Sequence, residues 1–291
     1  MSKKMCDQSR RSFLGTALAG GAAALAGVAT ARAATDIGSG RFGGEQLQVW
    51  SCGGLAEAMI PAHQRFEERS GAKIAYTGAF AAALGKSLQG GATTDVFAGR
   101  VLGLAKTLRE AGKMDYFKPL CFTSYLMVTP KGNPAGIAAI EDMARPGVRV
   151  AMAPDSSPPG GQAVTVLLDK AGIAEAVMKN VVNPGTCVQR TVSDVVTGKA
   201  DVMIVEKRIT RMAEFSGKVE SVEISPSFFP PAPLTFTVGV MKSARNRALA
   251  DDYVTFLISP EGQACFERMG FIPAISEGGR QLVDKLGVED V

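Results

Sequence analysis

Apolar residues at 47 and 49 alternate with Gln46 and Gln48, so 47–50 reads as a half-buried strand. Beyond Ser51-Cys52-Gly53-Gly54 the period changes: apolar residues at 55, 59, 62 and 66 recur at the spacing of one helix face. The same alternation of elements continues. Strands are expected at 73–77 and 95–98, and helices at 81–88 and 101–111. A longer apolar strand runs over 122–129 and closes on Pro130 and the Gly132-Asn133-Pro134 turn. The rhythm then restarts with strands at 148–153 and 201–205 and helices at 161–170, 187–197 and 206–215. After the Pro230-Pro231-Ala232-Pro233 break a strand at 234–241 leads into helices from Arg245 onward, one of which places Tyr253, Phe256 and Leu257 on one face. Strands alternating with helices imply right-handed crossovers and mostly parallel sheets. Two such halves, joined near 122–129 and again near 230–240, describe a hinged α/β molecule that closes around a ligand.

Composition changes this picture at the N-terminus. Lys3, Lys4, Arg10 and Arg11 precede a charge-free run over 12–30 that ends in Ala31-Arg32-Ala33-Ala34, the pattern of a cleaved secretory signal over 1–33. The run is rich in Ala and Gly and barely reaches the roughly 20 residues of a spanning helix, which disfavours an uncleaved anchor. Ser9-Arg10-Arg11-Ser12-Phe13-Leu14 resembles the twin-arginine export motif, which makes the twin-arginine translocase an expected partner and the periplasm the destination. Removing that segment turns 32 basic against 28 acidic residues into 27 against 27. The mature chain is formally neutral, and nothing in its charge calls for nucleic acid or an anionic membrane.

Four cysteines remain beyond the signal, Cys52, Cys121, Cys187 and Cys265, at spacings that match no zinc knuckle or redox pair. Disulfides and buried thiols are the default readings in an oxidising compartment. Cys265 sits with Phe266 and Met269 on an apolar helix face and reads as core. His63, the single histidine, lies two turns down the first helix and reads as a surface or supporting residue. With one histidine and no nucleophile in register with a base, the chain is not expected to be an enzyme, and no pattern calls for a cofactor.

Three stretches carry a family resemblance. Gly91-Ala92-Thr93-Thr94-Asp95-Val96-Phe97 resembles a Gly-Ala-x-x-Asp-Val-Phe segment, and Gly198-Lys199-Ala200-Asp201 a Gly-x-Ala-Asp turn. The run from Val254 to Gln263, with Gly270-Phe271 after it, resembles a C-terminal helix pair. All three are similar to segments of the type II periplasmic solute-binding proteins, most nearly the molybdate-binding branch. The resemblance implies a two-lobed periplasmic-binding-protein-like α/β fold, each lobe a mostly parallel sheet flanked by helices, with a hinge of two crossover strands. The implied organisation is a signal over 1–33, a flexible segment over 34–44, a first lobe over 45–121 and a crossover over 122–129. The second lobe spans 130–233, and the return crossover and first-lobe helices span 234–291. It implies a monomer that presents a small inorganic solute, a soft metal, metalloid or oxyanion, to an ABC transporter permease. The alternatives are a receptor that reports a metal or metalloid to a membrane sensor kinase, and a true molybdate- or tungstate-binding protein despite the substitutions described below.

In open α/β sheets ligands bind beyond the carboxyl ends of strands, against helix starts. The resemblance turns Gly53, Gly54, Ala81, Gly161 and Val188 toward the cleft. It also marks a departure: where molybdate-binding relatives place two hydroxyl residues and often a tyrosine, this chain has Gly54, Ala81 and Glu206. An ionised carboxylate repels a dianion. Sulfur is the expected substitute, because Cys52 and Cys187 stand at helix starts whose dipoles favour thiolate. With Cys121 they are the candidate ligands of a thiophilic ion. Glu206 has a second reading, as a cap for its own helix, and Asp155-Ser156-Ser157 offers hydroxyls to an oxygen-rich ligand or forms an ordinary loop.

Overall fold

The computed structural model describes residues 40–156, 160–229 and 235–290. The segment over 1–33 expected to be a signal, the first part of the segment expected to be flexible, Ser157, Pro158-Pro159 and the Pro230–Leu234 break lie outside the described residues. Strand β1 (Gln46–Cys52) buries Leu47, Val49 and Ser51 and leaves Gln46, Gln48 and Trp50 exposed or partly exposed, as its pattern predicts, until Cys52 is buried at its end. It pairs in parallel with β2 (Lys73–Ala79) and β3 (Val96–Arg100). After a 3-10 turn at Gly53–Leu55, α1 (Ala56–Ser70) lays Ala58, Met59, Ala62, His63 and Phe66 against that sheet. His63 is therefore a core residue, not a surface one: it is 6% exposed and packs edge-on against Tyr76 with ring centroids 4.7 Å apart. Residues 40–44, expected to be flexible, are pinned, since Phe42 is buried and its N–H donates to Ser70 O at 2.9 Å.

The first sheet has six strands in the order β11-β4-β10-β3-β1-β2. Its parallel β1–β2–β3 part is extended by antiparallel β10 (Thr235–Met241), β4 (Met114–Phe122) and β11 (Ile272–Pro273). The apolar run expected as one strand over 122–129 is two. Pairing in the first sheet ends at Phe122, the chain bends at Thr123-Ser124, and β5 (Tyr125–Pro130) pairs in a second sheet. Hydrophobicity alone does not show where an extended chain changes sheets.

In the second half, β5 lies between antiparallel β8 (Met203–Glu206) and β9 (Val219–Glu223). Beside them β6 (Val150–Met152) pairs in parallel with β7 (Val181–Pro184), and Val150 bridges Val202. The helix expected over 206–215 is a 3-10 stretch at Lys207–Arg211 followed by turns. Ile209 and Phe215 are both buried, whereas an α-helix would set them about 120° apart on its surface; the irregular path turns both into the core. Helices α2 (Ala81–Gln89) and α3 (Leu102–Glu110) flank the first sheet. Helices α4 (Gly160–Lys170), α5 (Ala174–Asn180) and α6 (Val188–Val196) belong to the second half. Helices α7 (Arg247–Leu257), α8 (Pro260–Arg268) and α9 (Glu277–Leu286) complete the chain. Tyr253, Phe256, Phe266 and Cys265 from α7 and α8 join Phe66 in the first core, as the sequence predicts. Each such side chain contributes about 1.5–3 kcal/mol by leaving water. No helix among the described residues is long and apolar enough to cross a membrane.

Candidate functional site

Several chain corners of the two halves open on one hollow of about 630 Å³. From the first half come Cys52, Gly53 and Gly54 at the end of β1 and Ala81 at the start of α2. From the second come Cys187 and Val188 at the start of α6, and Glu206 at the end of β8. Gly161, expected among them, is not in the lining; its neighbour Gly160 is. A Cβ at Gly161 would stand 2.2 Å from Pro154 O, so that glycine serves the close approach of α4 to the preceding loop. Ser156 does face the hollow, and its hydroxyl is buried without a partner.

The helix starts that meet here carry no side-chain cap. Phe80 precedes α2 and Cys187 precedes α6, and neither side chain accepts a hydrogen bond from its helix. First-turn N–H groups left without intrahelical partners, at the positive end of the helix dipole, attract negative charge.

The residues that dominate the hollow were not among the candidates. Arg100, at the carboxyl end of β3, and Arg208, in the 3-10 stretch after β8, both line it and both grip Glu206. Arg100 Nη2 donates to Glu206 Oε1 at 2.6 Å and Arg208 Nε to Oε2 at 2.5 Å. Arg100 Nη2 also donates to the Tyr125 hydroxyl at 3.1 Å, and Arg208 Nη1 reaches Glu57 Oε1 at 3.4 Å. The pairs Arg100–Glu206 and Arg208–Glu57 both join the first half to the second. Arg208 lies over Gly54, its Nε 3.7 Å from where a Cβ would stand, so a longer side chain at that corner would meet the guanidinium.

This arrangement corrects the electrostatic expectation. Burial alone would raise the carboxyl pKa of Glu206, but Arg100 and then Arg208 outweigh it and hold the group below its ordinary range. Burial opposes the charge on Arg100 as well, and Glu206 more than restores it. Two guanidiniums stand against the carboxylates of Glu57 and Glu206, so the charged lining is formally neutral and the hollow as a whole is not closed to anions; what Glu206 repels is an unprotonated oxygen placed directly against it.

The thiol expectation is corrected too. Burial raises the pKa of Cys52 more than its hydrogen bond to the Gly54 backbone lowers it, so the residue is a neutral thiol. Cys121 is fully buried off the lining, with its thiol pushed well up by burial. Cys187 is exposed at the rim. All four cysteines among the described residues are free, and no three His, Cys, Asp or Glu side chains among them group as a metal ion requires. The three-thiol metal site is therefore not assembled. One signal for the missed residues was present in the sequence, since Arg100 is a charged residue closing a five-residue strand that is otherwise apolar or glycine. The carboxyl end of such a strand is where α/β sheets place their ligands.

Residues 47–272 match the family model of the bacterial extracellular solute-binding proteins. The chain is 25% identical to the molybdate-binding protein ModA of Mycobacterium tuberculosis, over 79% of this chain and 85% of that protein. Its fold is similar to the periplasmic molybdate-binding protein of Azotobacter vinelandii, with a TM-score of 0.63 and 16% identity over 78% of this chain and 98% of that one. It is similar as well to the sulfate-binding protein SubI of Mycobacterium tuberculosis, with a TM-score of 0.59 and 20% identity over 83% and 91% of the two chains. The likeness is that of a two-lobed type II periplasmic binding fold.

Proposed function

The chain belongs to the bacterial extracellular solute-binding proteins, and from that premise we propose that it is an exported periplasmic receptor that encloses a small anionic solute between its lobes and delivers it to an ABC importer. The observation that carries this reading is the convergence of Arg100 and Arg208, from opposite halves, on one hollow. The uncapped starts of α2 and α6 add main-chain donors to the same space. The names of its relatives, molybdate-binding and sulfate-binding, support an oxyanion or a chemically similar anion. The twin-arginine motif supports export of the folded chain.

Contacts made by both lobes to one solute lower the free energy of the closed form relative to the open one, and the permease then reads that form. Arg100 and Gly54 belong to one side of the closure and Arg208 to the other. No reaction is assigned to the hollow. A receptor reporting a thiophilic metal to a sensor kinase needs a thiolate cluster, and no observation favours it here: Cys52 is neutral and Cys121 lies off the lining. The test is thermal unfolding and calorimetry of the purified chain against molybdate, tungstate, sulfate, phosphate and small carboxylates. At least one anion should raise the melting temperature, and should do so at least tenfold less effectively with Arg208→Met. Silence toward all of them would end the reading.

A further inference from the structure

Glu206 is gripped as a bound anion would be. Its two oxygens are held by two guanidiniums from opposite sides, as the oxygens of a solute would be, and at 6% exposure it has no room to swing into water. Any solute that reaches Arg100 and Arg208 must lie beside it. We infer that Glu206 determines the specificity of the hollow: its carboxylate, able only to accept hydrogen bonds, admits an anion that carries a proton to donate and rejects fully deprotonated tetrahedral oxyanions. The inference rests on the receptor reading above and concerns which anion that receptor takes.

Three features of the lining carry it. The carboxylate is ionised, because the arginines outweigh its burial, and an ionised carboxylate has acceptor capacity and no donor. A second acceptor stands nearby, since Glu57 Oε2 is buried with no hydrogen-bond partner while its sister oxygen faces Arg208. Donors for the rest of an anion are also in place. Arg100 Nε is buried without a partner, Ser156 Oγ likewise, and the α6 start is uncapped. A solute oxygen that bears a proton completes Glu206 with a charge-assisted hydrogen bond, whereas a bare anionic oxygen in the same place meets like charge. A site built to bond a solute hydroxyl discriminates strongly against the analogue that lacks it, because its buried polar group is then left unpaired. Near neutral pH inorganic phosphate keeps at least one proton, while sulfate and molybdate keep none.

The experiment is calorimetric titration of the full-length chain with phosphate, sulfate and molybdate in one buffer at fixed ionic strength. Phosphate should bind at least tenfold more tightly than either other anion. Glu206→Gln, whose amide can donate, should narrow that ratio below threefold by raising sulfate affinity, and Glu206→Asp, which keeps an acceptor-only group, should preserve the preference. Sulfate or molybdate binding as tightly as phosphate to the unmodified chain overturns the inference alone, and so does an unchanged ratio in Glu206→Gln. If Glu206→Gln does not fold, the ratio in the unmodified chain and in Glu206→Asp still decides. Absence of binding by all three overturns the inference, and silence toward tungstate and the small carboxylates as well overturns the receptor reading with it.

Discussion

Asp95 accepts main-chain hydrogen bonds from Gln48 N at 2.7 Å and Arg245 N at 2.9 Å, and its two oxygens also take Nε and Nη2 of Arg245. Asp201 repeats the device in the other half, accepting N, Nε and Nη2 of Arg149. Glu206, buried to a similar degree, accepts side-chain donors only, from Arg100 and Arg208. The difference separates structure from function. A carboxylate bonded to the main chain ties strands and loops together and cannot exchange those donors without unfolding. A carboxylate bonded to two guanidiniums that line a hollow can share them with a solute. The aspartates of the two segments that resemble solute-binding proteins are thus struts, and the solute contacts proposed above lie with residues outside those segments.

The largest effect expected from this contrast is on stability. Asp95→Ala removes a 2%-exposed carboxylate and strands two main-chain donors, and should cost about 3–5 kcal/mol in urea unfolding while leaving anion affinity within twofold. Loss of affinity in a chain that remains folded would show that the strut also shapes the hollow.

A smaller effect distinguishes these carboxylates from the histidine. Hydrogen bonds and charge from Arg245 outweigh burial at Asp95, and the side-chain bond to Arg149 lowers Asp201, so both lie below the ordinary value of 3.8. Groups depressed in the fold contribute stability that is complete above the unfolded pKa and lost as pH falls through the folded one, here below about 4. His63 acts at higher pH. Burial pushes it down to about 4 from an ordinary 6.5, so between those values the unfolded chain binds a proton that the folded chain does not. Stability must then fall with acidification at about 1.4 kcal/mol per pH unit, or about 2 kcal/mol from pH 6.5 to 5. His63→Phe should flatten that slope and leave the drop below pH 4 in place. A slope that survives the substitution would assign the loss to other groups.

These three residues also show what a linear chain reveals. Alternation at 47–50 and the helical period at 55–66 announce β1 and α1 because each element has one buried face. The family resemblance turned Gly53, Gly54, Ala81, Gly161, Val188 and Glu206 to one cleft, with Cys52 and Cys187 added as helix-start thiols; all but Gly161 line the hollow. What stayed hidden is non-local. Glu206 reads as repulsive until Arg100, more than a hundred residues earlier, is folded against it, and His63 reads as a surface residue until Tyr76 and Tyr253 close over it. The short strands β7 and β9, with mostly exposed or half-exposed residues, carry too little periodicity to be seen.

The smallest effects test the helix starts, which repeat the contrast in another form. Helices α7, α8 and α9 begin with Asn246, Ser259 and Ser276, whose side chains accept from Leu249 N, Gly262 N and Gly279 N at 3.0, 3.3 and 3.0 Å. Such caps are worth about 1 kcal/mol, which is the cost expected for Ser259→Ala in urea unfolding, with no change in anion affinity. At α2 and α6 the corresponding residues are Phe80 and Cys187, whose side chains accept nothing. Helices α3 and α5 also start without a side-chain cap, so a missing cap alone does not mark a site; two that meet beside a pair of arginines do. Cys187→Ser supplies an acceptor where none exists and should raise stability by about 0.5 kcal/mol. The same hydroxyl takes an N–H that an anion would otherwise use, so affinity for the anion that binds best should fall about threefold, while Cys187→Ala should change neither quantity. If Cys187→Ser stabilises the chain and leaves affinity unchanged, the start of α6 plays no part in holding the solute, and the arginines hold it without that helix.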